Sequence, residues 1–94
     1  MFRLWIRLFT DNRLTHDMIV EDDSFDTRTH KVRRAIEEGC DAFDVGKPIW
    51  LKKNVSDFQR YAACRFTKDN FVEDISFDYM DVRVIEEDDS ICPE

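Results

Sequence analysis

Alternation of side chains along residues 2–9 is the feature that most restricts the fold of this chain. One set of alternate positions is aliphatic or aromatic and the other is arginine and aromatic; the sets are Phe2, Leu4, Ile6 and Leu8, and Arg3, Trp5, Arg7 and Phe9. Because successive side chains of a strand point to opposite faces, this spacing predicts a half-buried β-strand. Residues 14–21 alternate similarly, and the turn-forming residues 10–13 predict a hairpin.

Side-chain pairing selects one register for this hairpin. The apolar face then pairs Leu8 with His16, Ile6 with Met18 and Leu4 with Val20, and the reverse face pairs Arg7 with Asp17, Trp5 with Ile19 and Arg3 with Glu21. A slip of one residue would place Ile6 opposite Asp17 and mix the two faces. The selected register predicts a loop of odd length.

Two helices are predicted in the middle of the chain. Asp26 or Thr27 can cap a helix that runs to about Asp44, and Gly46 and Pro48 then end it. Its apolar stripe consists of Val32, Ile36, Cys40 and Phe43, flanked by Ala35 and Gly39. The Ser-x-x-Gln sequence of residues 56–59 has the form of a capping box and predicts a short helix over about 57–64. Residues 49–51 predict a short strand or a loop anchored in the core.

The C-terminal segment changes the phase of its alternation. Apolar residues occupy odd positions up to Tyr79 and even positions from Met80 onward, which predicts a bulge or break between them. The predicted fold is α+β: an antiparallel sheet of three to four strands, made from the hairpin and the C-terminal strand, with the long helix on one face and a second, short helix. Residues 1–88 are predicted to form a single domain, and residues 89–94 a frayed tail.

Charge and cysteine content restrict the partners and the compartment. A net charge of -7 argues against direct binding to nucleic acid or anionic lipid, because both bind basic surfaces. Arg3 and Arg7 interrupt the apolar start of the chain, so that no signal peptide or membrane span is predicted. Cys40, Cys64 and Cys92 form no CxxC pair and no even set, which favours reduced thiols and a cytoplasmic protein. Cys40 is predicted to be a core residue.

An acidic heptapeptide occurs twice, as VEDDSFD at residues 20–26 and VEDISFD at residues 72–78. Calcium loops need alternating ligands and a glycine, and both copies lack that glycine. We therefore expect no metal site and no cofactor, and we interpret the repeat as a coincidence of composition rather than as two equivalent sites.

The predicted long helix begins with basic residues and ends with acidic ones, the reverse of what the helix dipole favours. One explanation is neutralisation by an acidic surface at the strand ends, consisting of Glu21, Asp22, Asp23, Glu86, Glu87, Asp88 and Asp89. The alternative is a site for an anionic group, formed by Arg28, His30, Lys31 and Arg34. The first explanation is favoured.

The reverse face of the hairpin has the composition of a protein interface. Trp5, Phe9 and Ile19 lie there among charged residues. The alternative is that the second helix or the Trp50 segment covers this face within the chain. No pattern combines a nucleophile, a base and an oxyanion-binding loop, so no catalytic residue is predicted.

These features favour a small acidic, non-enzymatic module for protein interaction or regulation, with a protein partner or a second copy as its ligand. An acidic mimic of nucleic acid is a variant of this hypothesis. The alternative is a protein that binds an anionic small molecule at the basic start of the long helix.

Several short sequences resemble a group of small bacterial proteins. They are DTRTHK at 26–31, KPIWL at 47–51, RFTKDNF at 65–71 and VIEED at 84–88. The chain resembles, over almost its whole length, small cytoplasmic proteins of Gram-positive gut bacteria with no assigned activity. The resemblance implies a cytoplasmic bacterial protein and brings no catalytic residue or ligand.

Overall fold

An antiparallel sheet forms the centre of the structure, a computed structural model that describes residues 1–87. The strands are β1 (Phe2–Thr10), β2 (Arg13–Asp22), β3 (Ala63–Thr67) and β4 (Tyr79–Glu86), and the helices are α1 (Arg28–Phe43) and α2 (Lys52–Tyr61), with a 3-10 turn at Lys68–Asn70. The strand order is β2-β1-β4-β3. The predicted α+β class, with the hairpin joined by the C-terminal strand, is confirmed. The predicted tail at 89–94 lies outside the described residues.

The predicted register of the hairpin is confirmed, but its predicted odd loop is wrong. Leu8 pairs with His16 as expected, and the register then shifts, so that Phe9 pairs with Leu14. Thr15 is the extra residue of this β-bulge, and its hydroxyl donates a hydrogen bond to the Leu8 carbonyl at 3.1 Å. The turn itself has two residues, Asp11 and Asn12, both with positive φ, as tight hairpins require.

Helix α1 covers the aliphatic face of β1 and β2 as predicted. Thr27 is its N-cap and accepts a hydrogen bond from the His30 backbone N–H at 3.2 Å. The core contains buried residues from both layers: Phe2, Leu4, Ile6, Leu8 and Val20 from the strands, and Val32, Ala35, Ile36 and Cys40 from the helix. The apolar stripe predicted for this helix is therefore the stripe that it buries.

Helix α2 and strand β3 differ from the sequence prediction. The helix begins at Lys52 rather than near 57, and its backbone at Leu51 donates to the side chain of Asn54, so that the Ser56 capping box is wrong. The helix ends at Tyr61, its C-cap Ala62 has a φ of 54°, and β3 starts at the next residue. The sequence does not predict this strand, because the capping-box pattern extends the helix over its first residues.

The last strand begins where the phase of the alternation changes. Strand β4 starts at Tyr79, and the preceding residues form an irregular segment that buries Phe77. The predicted break near Tyr79 is thus the start of the strand. The Ile49–Leu51 segment is the core-anchored loop of the two alternatives, since Trp50 contacts the rings of Phe58 and Phe66 at centroid distances of 5.7 and 4.9 Å.

Two buried asparagines fix the loops around α2 and β3. The Asn70 side-chain amide donates to Asn54 at 2.6 Å and to the Ile49 carbonyl at 2.8 Å. The Asn54 amide donates to the Arg65 carbonyl at 2.8 Å. Each of these bonds satisfies a polar group that is removed from water. Together they connect the Trp50 loop to β3.

Gly39 of α1 lies directly against β1 of the sheet. A Cβ built at Gly39 would overlap the Cδ1 atom of Ile6, which is fully buried. We expect Gly39→Ala to destabilise the protein, because overpacking costs about 1–3 kcal/mol while the gain in helix propensity is about 1 kcal/mol. In an Ile6→Val background, which lacks Cδ1, the same substitution should be stabilising. Urea unfolding of the four proteins measures this; an unchanged sign in the second background would contradict the contact.

Candidate functional site

The sheet face opposite the helices, called the outer face here, combines aromatic and charged side chains. The strand registers place on it Leu14, Asp17, Ile19 and Glu21 from β2, Arg3, Trp5, Arg7 and Phe9 from β1, Tyr79, Asp81, Arg83 and Glu86 from β4, and Ala63, Arg65 and Thr67 from β3. It is therefore wider than the hairpin face predicted from the sequence.

Ion pairs occupy the middle of the outer face. The Arg7 guanidinium donates a hydrogen bond to the Asp81 carboxylate at 2.9 Å, and Arg65 lies 3.6 Å from the other oxygen of that carboxylate. The Asp81 side chain is only 8% exposed, whereas that of Arg65 is 63% exposed. A carboxylate that is removed from water orients both arginines, Arg7 through a hydrogen bond and the more exposed Arg65 through a longer ion pair.

Aromatic rings support these arginines from either side. Arg7 lies over the Trp5 ring at 4.3 Å and near the Phe9 ring at 5.3 Å. Arg65 lies over Tyr79 at 4.5 Å, and Tyr79 stacks on Phe9 with ring centroids 5.0 Å apart. These cation–π and stacking contacts join β1, β3 and β4 into one surface layer.

Neither the second helix nor the Trp50 segment, the two elements that could have covered this face, lies over Trp5. Trp50 packs against Phe58 and Phe66 on the core side of the sheet. Trp5 is half-buried by its own neighbours and donates from Nε1 to Asp17 at 3.0 Å, and Ile19 remains 48% exposed. Within residues 1–87, then, the predicted interface residues Trp5, Phe9 and Ile19 lie together on an open face.

Sequence reasoning missed the half of this face contributed by β3 and β4. Tyr79, Asp81 and Arg83 alternate with the apolar residues 80, 82 and 84, so their shared face follows once the even positions are assigned to the core. Arg65 gives no such signal, because the short β3 follows a helix without a turn sequence between them.

The acidic strand ends neutralise basic groups within the chain. Both ends lie beside the start of β1, where Arg3 pairs with Glu21 at 3.2 Å and with Glu86 at 3.5 Å. Glu86 also accepts a hydrogen bond from the N-terminal ammonium group at 3.0 Å. Asp23 is exposed, and Asp88 and Asp89 lie outside the described residues. Most of the described members of the predicted acidic surface thus have cations beside them.

The basic start of α1 is paired in the same way. Arg34 donates to Asp22 at 2.8 Å and also to Asp26, and His30 lies 2.9 Å from Asp26. Arg28 lies 3.2 Å from Glu87 and over the Phe58 ring. Lys31, the remaining residue of the predicted anion site, is buried. The structure therefore contains the contacts of the internally neutralised alternative.

These contacts lower the pKa values of two carboxylates. Hydrogen bonds from Arg34, His30 and the Thr27 backbone hold the pKa of Asp26 well below its usual range. Burial alone would raise the pKa of Asp22, but hydrogen bonds from Ser24 and Arg34 outweigh it and lower that pKa. Both groups favour the folded state while they are ionised.

A cleft between the helices is the nearest feature to a small-molecule site at this end. It is lined by Arg28, Arg33, Val32, Trp50 and Val55, among others, and has a volume of about 170 Å³. Typical ligand pockets measure about 300–1,000 Å³. The cleft is therefore small for a metabolite.

No protein-family model, curated protein or solved structure matches the chain. The resemblance to proteins of Gram-positive gut bacteria stays an expectation. The chemistry of the outer face itself is the basis for assigning it a role.

The two described cysteines are core residues. Burial raises the pKa of Cys40 to about 11 and that of Cys64 to about 12. Both side chains are therefore protonated thiols at neutral pH, whereas a nucleophilic cysteine needs to be a thiolate.

Residues 1–87 lack two further features that would indicate a function. They contain no group of three or more His, Cys, Asp or Glu side chains that could hold a metal ion. No helix among them is long and apolar enough to cross a membrane.

Replacement of Asp26 should expose its contribution to stability. Because the folded pKa of Asp26 lies below its unfolded value of about 4, its stabilising effect is present above that pH and is lost as the pH falls through the folded pKa. Asp26→Asn should lower the melting temperature at pH 7, and the difference from the parent should shrink as the pH falls below about 3. The matched control is Asp23→Asn, an exposed residue of the same turn. Equal pH profiles for both variants would contradict the pairing.

Thiol labelling should distinguish buried from reactive cysteines. In a Cys92→Ser variant, which keeps only the two described cysteines, Ellman's reagent should release almost no chromophore from the native protein at pH 7.5, because both thiols are buried and protonated. Full release is expected in 6 M guanidinium chloride. Rapid labelling of the native variant would contradict the core placement.

Proposed function

We propose that this protein is a non-enzymatic interaction module that binds a protein through its outer face. The observation that carries the proposal is the ordered layer of Trp5, Arg7, Asp81, Arg65 and Tyr79 on a face that the helices leave open. Tryptophan, tyrosine and arginine are the residues that most often dominate the binding energy of protein interfaces.

The layer is also preorganised for binding. Arg7 and Arg65 are held by one carboxylate and by aromatic rings before any partner arrives. Long side chains usually lose about 0.5–1.5 kcal/mol each on becoming ordered at an interface. Because part of this loss occurs during folding here, less of it opposes binding.

The charges of the outer face support a protein rather than a polyanion as the partner. Its arginines, at positions 3, 7, 65 and 83, are matched by carboxylates at 17, 21, 81 and 86, so that the face is formally neutral while the chain carries -7. The mimic of nucleic acid has less support, because Glu21, Asp22, Glu86 and Glu87 already pair with cations of the chain. The same pairing reduces support for an anion ligand at α1.

Photo-crosslinking can test this function while the partner is still unidentified. A benzophenone amino acid replaces Ile19 on the outer face, and in the control it replaces Ser56, an exposed residue of α2. We expect an adduct of one defined mass from position 19, its loss when Trp5→Ser is added, and no equivalent adduct from position 56. Circular dichroism checks that each variant folds.

Two outcomes would overturn the proposal. One is the absence of any protein adduct from position 19 in cells that express the chain. The other is the same set of adducts from both positions, which would mean that the outer face has no preference over α2.

A further inference from the structure

We infer that the partner of the outer face is a second copy of this chain, joined about a two-fold axis that runs along the strands between β1 and β4. This inference rests on the proposed function and names the partner. It follows from the order of side chains across the sheet. When this order is reversed and placed opposite itself, side chains of complementary chemistry face each other.

Cross-strand neighbours divide the outer face into rows. In strand order β2-β1-β4-β3, the rows are Glu21, Arg3 and Glu86; Ile19, Trp5, Arg83 and Ala63; Asp17, Arg7, Asp81 and Arg65; and Leu14, Phe9, Tyr79 and Thr67. Charged rows thus alternate with rows that have an aromatic residue near the middle.

A two-fold axis parallel to the strands turns the second copy over. Each row then faces the same row of the second copy, with the strand order reversed. The row that begins at Asp17 has charges in the order minus, plus, minus, plus, and its reverse has the opposite sign at every position. Asp17 therefore meets Arg65 of the second copy, and Arg7 meets Asp81 of the second copy. Such an interface is isologous, so every contact occurs twice.

The neighbouring rows are complementary under the same operation. Trp5 meets Arg83 of the second copy, a cation–π pair, and Phe9 meets Tyr79 of the second copy. A two-fold axis across the strands would instead place Glu21 against Leu14 and Asp17 against Ile19, which removes water from carboxylates without pairing them. The axis across the strands would pair Asp81 with Arg83 of the second copy but would leave Asp17 against Ile19, whereas the axis along the strands pairs all four charges of the central row.

The energetic costs of this association are modest. The central Asp81 is already nearly removed from water and paired, so that a second copy covers an existing ion pair rather than an isolated charge. Two chains of charge -7 repel each other. Because the outer face is formally neutral, contact through it keeps the negatively charged surfaces of the two copies apart.

The area of the outer face suits a reversible dimer. Four strands about 4.8 Å apart and rows spread over about 25 Å give roughly 500 Å² per copy, or about 1,000 Å² in total. That is the lower end of specific interfaces, where weak and transient complexes are found. Aligned sheets cross at about 30°, so the two central rows make the closest contacts.

Charge exchange across the axis tests the inference. Sedimentation of the purified protein should show a concentration-dependent dimer. Asp17→Arg alone and Arg65→Asp alone should each weaken it about tenfold or more, because each places two pairs of like charges face to face. A one-to-one mixture of the two variants should dimerise again, and so should one chain that carries both substitutions. The controls Glu38→Arg and Arg33→Asp, on exposed positions of α1, change the net charge equally and should leave the parent dimer intact.

The outcomes also separate this inference from the proposed function. A parent protein that stays monomeric up to about millimolar concentration, or a mixture that fails to recover the dimer, would overturn the second copy as partner. If position 19 still crosslinks to a different protein, the outer face remains an interaction surface. If neither self-association nor any crosslink occurs, both proposals fail together.

Discussion

The pairing of β1 on both of its edges is the constraint on which the other features of this structure depend. Because β1 is bonded to β2 and β4, its alternation assigns Leu4 and Ile6 to the core and Trp5 and Arg7 to the outer face. A slip of one residue against either neighbour would exchange the two faces. The close approach of α1 at Gly39 and the ion pair of Arg7 with Asp81 both require the same register, so core and surface are specified together.

Much of the fold could be predicted because it follows periodic patterns. The hairpin register, α1 and the start of β4 all follow from alternation or helical spacing. The bulge at Thr15 could not be predicted, because it depends on a hydrogen bond to the Leu8 carbonyl on the other strand of the hairpin. The cap at Asn54 is a local bond to Leu51, but the same side chain also bonds to the Arg65 carbonyl, which the local sequence does not show. The same holds for the site. Trp5 could be predicted from the hairpin alone, whereas the pairing of Asp81 with Arg7 depends on the order of the strands, which the local sequence does not contain.

The repeated acidic heptapeptide shows how far context overrides local sequence. Its first copy ends β2 and leads into α1, leaving Phe25 84% exposed, while the second forms an irregular segment in which Phe77 is 3% exposed. The copies therefore have different structural roles, as the coincidental interpretation expects. The basic start of α1 is likewise explained by its neighbours, since Asp22 comes from β2 and Glu87 follows β4.

Ala62 gives the molecule a direct mechanical connection between its two sides. This left-handed residue alone separates α2 from β3, so there is no slack to absorb a movement of the helix. Three residues later the same rigid backbone carries Arg65 on the outer face, and its carbonyl is held by Asn54 of the helix. A displacement of α2 would therefore also displace the β3 edge of the outer face.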